Sequence, residues 1–173
     1  MRELETERLR LRKLRRGDTQ RIFDFWASDP EVTKYVTWCP HESVAVTEQV
    51  MDFWLKEYEK PDCYRYGIER KETGELIGMI DVNKTLDGEP VLGYCSGRPA
   101  WGHGYMTEAL KAMCAMLFDE GCQTLLIEAV RENIGSNRVI RKAGFRPVKT
   151  YERPLSDSKP EIVTINSYRL DKE

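Results

Sequence analysis

The chain has 173 residues, 40% of them hydrophobic and 32% charged, with a net charge of −2. That is enough chain for one domain over residues 1–173 that buries roughly two thirds of its unfolded surface, and the acidic balance argues against a nucleic-acid partner. No run of roughly 18 apolar residues occurs and the N-terminus is rich in Arg and Glu, so no membrane span or leader is expected and a cytoplasmic location follows.

Taken in chain order, Arg8 to Leu14 alternates basic residues with Leu9 and Leu11, the pattern of a half-buried first strand with its basic side chains in water. Asp18 is placed to cap a helix carrying Ile22, Phe25 and Trp26 that ends before Asp29-Pro30. Ser43 can cap a second helix bearing Val46, Val50, Phe53 and Trp54, broken at Pro61-Asp62. Tyr64 to Arg70 and Glu75 to Asn83 read as strands joined through Glu72-Thr73-Gly74, and Asp87-Gly88 turns the chain into a strand over Val91 to Ser96.

Met106, Ala109, Leu110, Met113 and Leu117 share one face of a third helix that Gly121 stops. Cys114 lies in its middle as a packing residue. Strands are then expected over Thr124 to Val130, Arg146 to Tyr151 and Ile162 to Leu170, with a short helix between the first two that ends at Ala143-Gly144-Phe145.

The loop Trp101-Gly102-His103-Gly104 falls between a strand and the start of the third helix. Glycines there let backbone approach an anion, and the free N–H groups of a helix start present the positive end of its dipole, so a phosphorylated cofactor is one reading and a plain turn with a cap the other. Thr107 stands where a dinucleotide fingerprint needs its third glycine, and no Gly-Lys-Ser/Thr marks a nucleotide triphosphatase. Five cysteines without a Cys-x-x-Cys pair, and only two histidines, suggest neither a disulfide frame nor a metal site.

Asn133-x-x-Ser136 opening a helix that ends in Ala-Gly-Phe, downstream of Trp101-Gly-x-Gly-Tyr-x-Thr-Glu-Ala109, resembles the GNAT acyl-CoA N-acyltransferases, most of all the Rim type that acetylates ribosomal-protein N-termini. The opening Leu4-Glu-Thr-Glu-Arg-Leu-Arg-Leu-Arg12 and the Trp38-Cys-Pro-His-Glu-Ser43 segment also read like that branch. The resemblance implies an α/β fold with a mixed, mostly antiparallel sheet, helices on both faces, and a splay between the fourth and fifth predicted strands.

It further implies an N-acetyltransferase that uses acetyl-CoA. The pantetheine arm would lie along the backbone of Tyr94, Cys95 and Ser96. The pyrophosphate would sit at Trp101, Gly102, His103, Gly104, Tyr105, Met106 and Thr107. Trp101 takes a place where many members carry Gln or Arg, and Met106 the last small position; a cradle of backbone N–H groups depends on neither side chain.

On the same carry-over Asn133 would bond the pantetheine and Ser136 would protonate the departing thiolate, although both residues also suit the simpler role of helix capping. A strand N–H near Cys95 is the natural oxyanion donor. The Cys95 side chain itself reads as packing. His103 is read as loop filler facing phosphate or solvent, His41 as solvent-facing, and Tyr105 and Trp101 as loop packing or a cover for the pantetheine.

The strand Val91 to Ser96 carries no carboxylate to serve as base. Asp81, Glu152 and Asp157 are alternatives, each with the competing reading of an ordinary surface acid. Arg138, Arg141 and Lys142 can meet the 3′-phosphate or stay solvated.

Two acceptor readings follow. A protein N-terminus predicts a groove open at both ends. A polyamine or aminoglycoside predicts an acid-lined pocket drawing on Asp62, Glu69, Asp81 and Asp157. The missing strand carboxylate also leaves room for a sensor that binds acyl-CoA without turnover. Monomer and homodimer are both compatible with the resemblance.

Overall fold

A computed structural model describes residues 1–172. The N-terminal segment is a small hairpin rather than one strand: β1, Leu4–Glu5, pairs with β2, Leu9–Arg12, with Leu4 opposite Leu11. Thr6 makes the turn, its hydroxyl accepting from the Leu9 N–H at 2.9 Å. This adds one strand to the seven expected.

The basic residues of β2 do not all face water. Arg12 is 5% exposed and donates to both Asp18 oxygens at 2.8 and 2.9 Å and to Glu69 at 2.6 Å. Asp18 is therefore spent on Arg12 and on the Arg15 N–H at 2.8 Å, and its side chain does not cap the next helix.

That helix is one α-turn, α1, Thr19–Ile22, which widens into a π-turn over Phe23–Ala27 and buries Trp26. The helix ends before Asp29-Pro30 as expected, and that pair starts a further element. In α2, Pro30–Thr33, Asp29 accepts from the Glu31 N–H at 2.9 Å and proline occupies the first turn, where its missing N–H costs nothing.

Helix α3 spans Val44–Glu57, close to expectation, but its inward face is rotated. Thr47 and Met51 are buried and Val50 and Trp54 half-buried, whereas Phe53 is 58% exposed and Val46 also faces out. Residues 47, 50, 51 and 54 form one helical stripe, so the period was right and the phase wrong.

The remaining strands are β3, Arg65–Arg70; β4, Leu76–Leu86; β5, Glu89–Ser96; β6, Thr124–Val130; β7, Arg146–Ser156; and β8, Lys159–Asp171. Asp87 and Gly88 at φ 53° and 83° make the tight β4–β5 turn. The sheet runs β1-β2-β3-β4-β5-β6-β8-β7, antiparallel throughout except for the β5–β6 pair. The expected mixed, mostly antiparallel α/β architecture is present.

Helix α4, Tyr105–Asp119, and α5, Ile134–Lys142, cover one face, and α1 and α3 the other. Leu110, Met113 and Leu117 of α4 pack on Leu11, Ile68, Ile80 and Leu92, while Ile22, Trp26 and Met51 meet Leu14, Leu76 and Met79 across the sheet. Each fully buried Leu or Ile contributes about 2 kcal/mol of apolar transfer, so both helical layers are held mainly by burial. No described helix is long and apolar enough to cross a membrane.

Candidate functional site

Strands β5 and β6 pair only at Val91 with Leu126 and Leu92 with Ile127. Beyond that point β5 continues against β4 as far as Ser96, and β6 against β8 as far as Val130. The sheet therefore opens between the outer halves of two parallel strands, where the splay was expected; the added N-terminal strand only shifts the count. A cavity of about 600 Å³ occupies the opening and reaches both faces of the sheet.

On one face, Tyr94 leans from β5 across the gap to α5, its hydroxyl 2.9 Å from Ser136 Oγ and 3.2 Å from the Ser136 carbonyl oxygen. Burial pushes the Tyr94 phenol up, partly offset by the Ser136 contact. Asn133 caps α5 by accepting from the Ser136 N–H at 3.1 Å. Asn133 and Ser136 are thus brought together at a helix start with Tyr94, and the Ser136 hydroxyl stays free of the capping bond.

The glycine loop stands at the same end of the gap. Gly102 and Gly104 have φ of 78° and 80°, a left-handed backbone that other residues adopt only with strain, and Gly104 is the N-cap of α4. Trp101 is 49% exposed and donates its indole N–H to the Ser96 carbonyl at 2.9 Å, so it ties the loop to the end of β5. His103 is exposed and stacks on Tyr105 with ring centroids 5.5 Å apart. Tyr105, Met106 and Thr107 form the half-buried first turn.

A brace from the N-terminal hairpin holds this loop. Glu108 accepts from the Thr6 hydroxyl at 2.5 Å, the Arg8 N–H at 2.9 Å and the Arg8 guanidinium at 2.8 Å, while Arg8 also donates to the His103 carbonyl at 3.0 Å. Burial pushes the Glu108 carboxyl up, but the Thr6 and Arg8 bonds outweigh it and hold it below the usual range. With the folded-state value depressed, the stabilisation is present above the unfolded value near pH 4 and is lost as pH falls through the folded one. Glu108→Gln is expected to cost about 2 kcal/mol at neutral pH and to flatten stability between pH 5 and 3, read by urea titration at each pH. An unchanged pH slope would refute the brace.

The other face holds Asp81, Cys95 and His41. Asp81, on β4, lines the cavity with its side chain 14% exposed. Its Oδ2 accepts from Arg65 Nε at 3.3 Å, and burial pushes its carboxyl up against the pull of Arg65. Cys95 lies beside it, and burial drives its thiol up to about 12, so packing is its role. His41 is not solvent-facing: it lines the cavity, its Nδ1 lies 2.8 Å from the Thr47 hydroxyl, and burial pushes it down. Trp26, Trp38, Trp54 and Tyr35 complete an aromatic roof.

Of the four acids expected to line a polycation pocket, only Asp81 does so. Asp62 and Asp157 are exposed, and Glu69 is bound to Arg12 and lies outside the cavity lining. Glu152 is likewise an exposed acid on β7. Asp81 shares its face with Met79, two residues before it on β4, whereas Ile77 and Ile80 pack on the opposite face. Arg138, Arg141 and Lys142 remain exposed on α5, around a shallow pocket shared with Arg131.

Asn137 carried no sequence signal as a functional residue, yet it is buried and central. Its amide donates to the carbonyls of Val130 at 2.9 Å and Asn133 at 2.7 Å, and its oxygen accepts from Asn166 at 2.9 Å and the Tyr168 hydroxyl at 2.6 Å. It ties the start of α5, with Asn133 and Ser136, to the end of β6 and to β8.

Residues 8–146 match the family model for the GNAT acetyltransferase domain. The uncharacterized N-acetyltransferase p20 of Bacillus licheniformis is 31% identical over 182 residues, covering 99% of this chain and 97% of that one. An acetyltransferase from Salmonella typhimurium that modifies the N-terminal serine of a 50S ribosomal subunit protein shares the fold at a TM-score of 0.84 and 15% identity, over 99% of this chain and 100% of that one. A microcin self-immunity acetyltransferase in complex with acetyl-CoA and AMP aligns at a TM-score of 0.83 and 14% identity, over 96% and 94% of the two chains. The parted strands, the glycine-led helix and these matches agree: this chain belongs to the GNAT family and is an N-acetyltransferase.

Proposed function

We propose that the protein transfers the acetyl group of acetyl-CoA to a primary amine by direct attack of the amine on the thioester, with residues 1–173 acting as one domain. The observation that carries this reading is the coincidence, at one end of one gap, of two unpaired strand edges and a helix start preceded by left-handed glycines. An extended pantetheine arm suits the first, and a pyrophosphate suits the second.

In this reading the backbone of Tyr94, Cys95 and Ser96 holds the arm. Backbone N–H groups from Gly102 to Thr107 take the pyrophosphate, with Trp101 and His103 forming the loop's outer edge. Asn133 orders the start of α5. Acetyl-CoA supplies the activated acyl group; the chain must position it, stabilise the oxyanion through a β5 N–H, and return a proton to the departing sulfur.

Ser136 suits that last role, because its hydroxyl faces the gap and the Tyr94 hydroxyl 2.9 Å away can relay a proton. Ser136→Ala is expected to lower kcat by roughly tenfold to a hundredfold with acetyl-CoA affinity by calorimetry held within about twofold. An unchanged kcat would remove Ser136 from the chemistry.

The acceptor side favours an amine that enters by its end. Lys159, at the tip of the β7–β8 hairpin, donates to the carbonyls of Thr33 at 2.5 Å and Val36 at 3.0 Å. This bridge crosses beside the cavity and opposes passage of a continuous chain, which argues against a groove open at both ends. A cavity carboxylate, Asp81, also removes the main support for a sensor without turnover. Thiol release from acetyl-CoA with a panel of amines tests the reading; tight acetyl-CoA binding without release from any of them would overturn it.

A further inference from the structure

We propose that the acceptor is a small primary amine with a single positive charge on an aromatic or branched apolar body, and that Asp81 seats its ammonium and takes its proton. This rests on the acetyl transfer proposed above and specifies its second substrate.

Strand register sets the geometry. Arg65, Asp81 and Gly93 are consecutive partners across β3, β4 and β5, so they stand side by side on the face covered by α3. Tyr94, the next residue along β5, points to the opposite face and Ser136. The carboxylate and the Tyr94–Ser136 pair therefore flank the parted strand from its two sides, as an acceptor and a proton donor for one transfer must.

The two oxygens of Asp81 differ. Oδ2 is held by Arg65, which is itself buried, reaches Glu57 at 3.4 Å and lies 5.3 Å from the Trp54 ring centroid. Oδ1 has no hydrogen-bond partner among the described residues. It would stand 3.4 Å from a Cβ at position 93, where glycine makes room for the Asn83 side-chain amide, and Asp81, Asn83 and Gly93 all line the cavity. A half-bonded carboxylate beneath an aromatic roof offers an ammonium one charge-assisted bond and a stacking surface.

Charge counting limits the acceptor to one such group. The cavity's other carboxylate, Glu128, already accepts from the Tyr151 hydroxyl at 2.5 Å and Lys84 at 3.2 Å, and lies 3.9 Å from Arg153. A second ammonium would meet Lys84 and Arg153 with no free carboxylate, and its desolvation would go uncompensated. Polyamines and aminoglycosides are disfavoured on this ground. The bridge made by Lys159 disfavours a peptide.

The step balances without a further reagent. Asp81 takes one proton from the ammonium, and the freed nitrogen lone pair forms the C–N bond at the thioester carbon. The C–S bond breaks, the sulfur receives a proton through Ser136 as the nitrogen loses its second one, and Asp81 releases its proton to solvent.

The test is thiol release from acetyl-CoA by the full chain with 2-phenylethylamine, tryptamine and isoamylamine against spermidine, kanamycin and N-terminal peptides, beside calorimetry of acetyl-CoA alone. The expected result is kcat/KM at least tenfold higher for the apolar monoamines, a loss of at least tenfold in Asp81→Asn with acetyl-CoA affinity retained, and a raised KM at little change in kcat in Trp38→Ala. Preference for spermidine, kanamycin or peptides overturns this acceptor class and leaves acetyl transfer standing. Turnover of no amine, with acetyl-CoA bound, overturns both. Should Asp81→Asn melt early, the wild-type panel alone decides.

Discussion

Asn137→Ala is expected to lower the free energy of unfolding by about 4 kcal/mol, a drop in Tm of roughly 8 to 16 °C for a chain of this size. The side chain satisfies two carbonyls, at Val130 and Asn133, and accepts from Asn166 and Tyr168 inside the protein. Truncation leaves the Tyr168 hydroxyl, on a side chain with no exposed surface, without its acceptor. An orphaned buried polar group costs about 1 to 3 kcal/mol, more than the net gain from an average hydrogen bond.

Tyr168→Phe removes the hydroxyl and leaves Asn137 its bond from Asn166, so it should cost only about 1 kcal/mol. The double variant should therefore lose less than the sum of the singles, because the orphaned hydroxyl is gone. Thermal and urea unfolding of the four proteins measure this cycle. A loss under about 1 kcal/mol for Asn137→Ala would mean that water replaces the side chain and that the tie between α5, β6 and β8 is dispensable.

Gly104→Val is expected to weaken acetyl-CoA binding by about a hundredfold or more while the sheet stays folded. Position 104 has φ 80° and ψ 0°, a region a β-branched residue enters only at about 1 to 3 kcal/mol of strain. Relieving the strain rotates the peptide that begins α4, and with it the N–H groups proposed to face the pyrophosphate. A Cβ there would also stand 3.5 Å from the Arg8 guanidinium that braces the loop. Calorimetry with acetyl-CoA reads the loss. Binding within about threefold of the native chain would displace the pyrophosphate from this helix start.

Much of the frame was legible from local pattern. The α4 stripe, the Asp87-Gly88 turn and the Asn133 cap each depend on residues within a few positions of one another, and each formed where expected. The splay fell between the expected segments. What failed was assignment of faces and partners. Arg12 reads as a wet strand residue until Asp18 and Glu69 fold onto it, and Phe53 reads as core until the crossing of α3 turns Met51 inward instead. Alternation along β2 and periodicity in α3 are symmetric to such choices, because the sheet is covered on both sides.

The acceptor side of the site was least legible for the same reason. Asp81, His41 and Trp38 come from a strand and from a segment between two helices, and only the closing of α3 and the β7–β8 hairpin over the sheet brings them to one cavity. Nothing within a few residues of Asp81 distinguishes it from Asp62 or Asp157, which ended in solvent.

By itself the sequence determined most of the segments that become strands and helices, where the glycines free the backbone, and the family to which the chain belongs. These follow from short-range sterics, periodicity and motif spacing. The tertiary structure alone decided which carboxylate is buried beside the gap, which asparagine ties α5 to the sheet, and how the acceptor cavity is roofed, because burial and pairing are set by residues far apart in the chain.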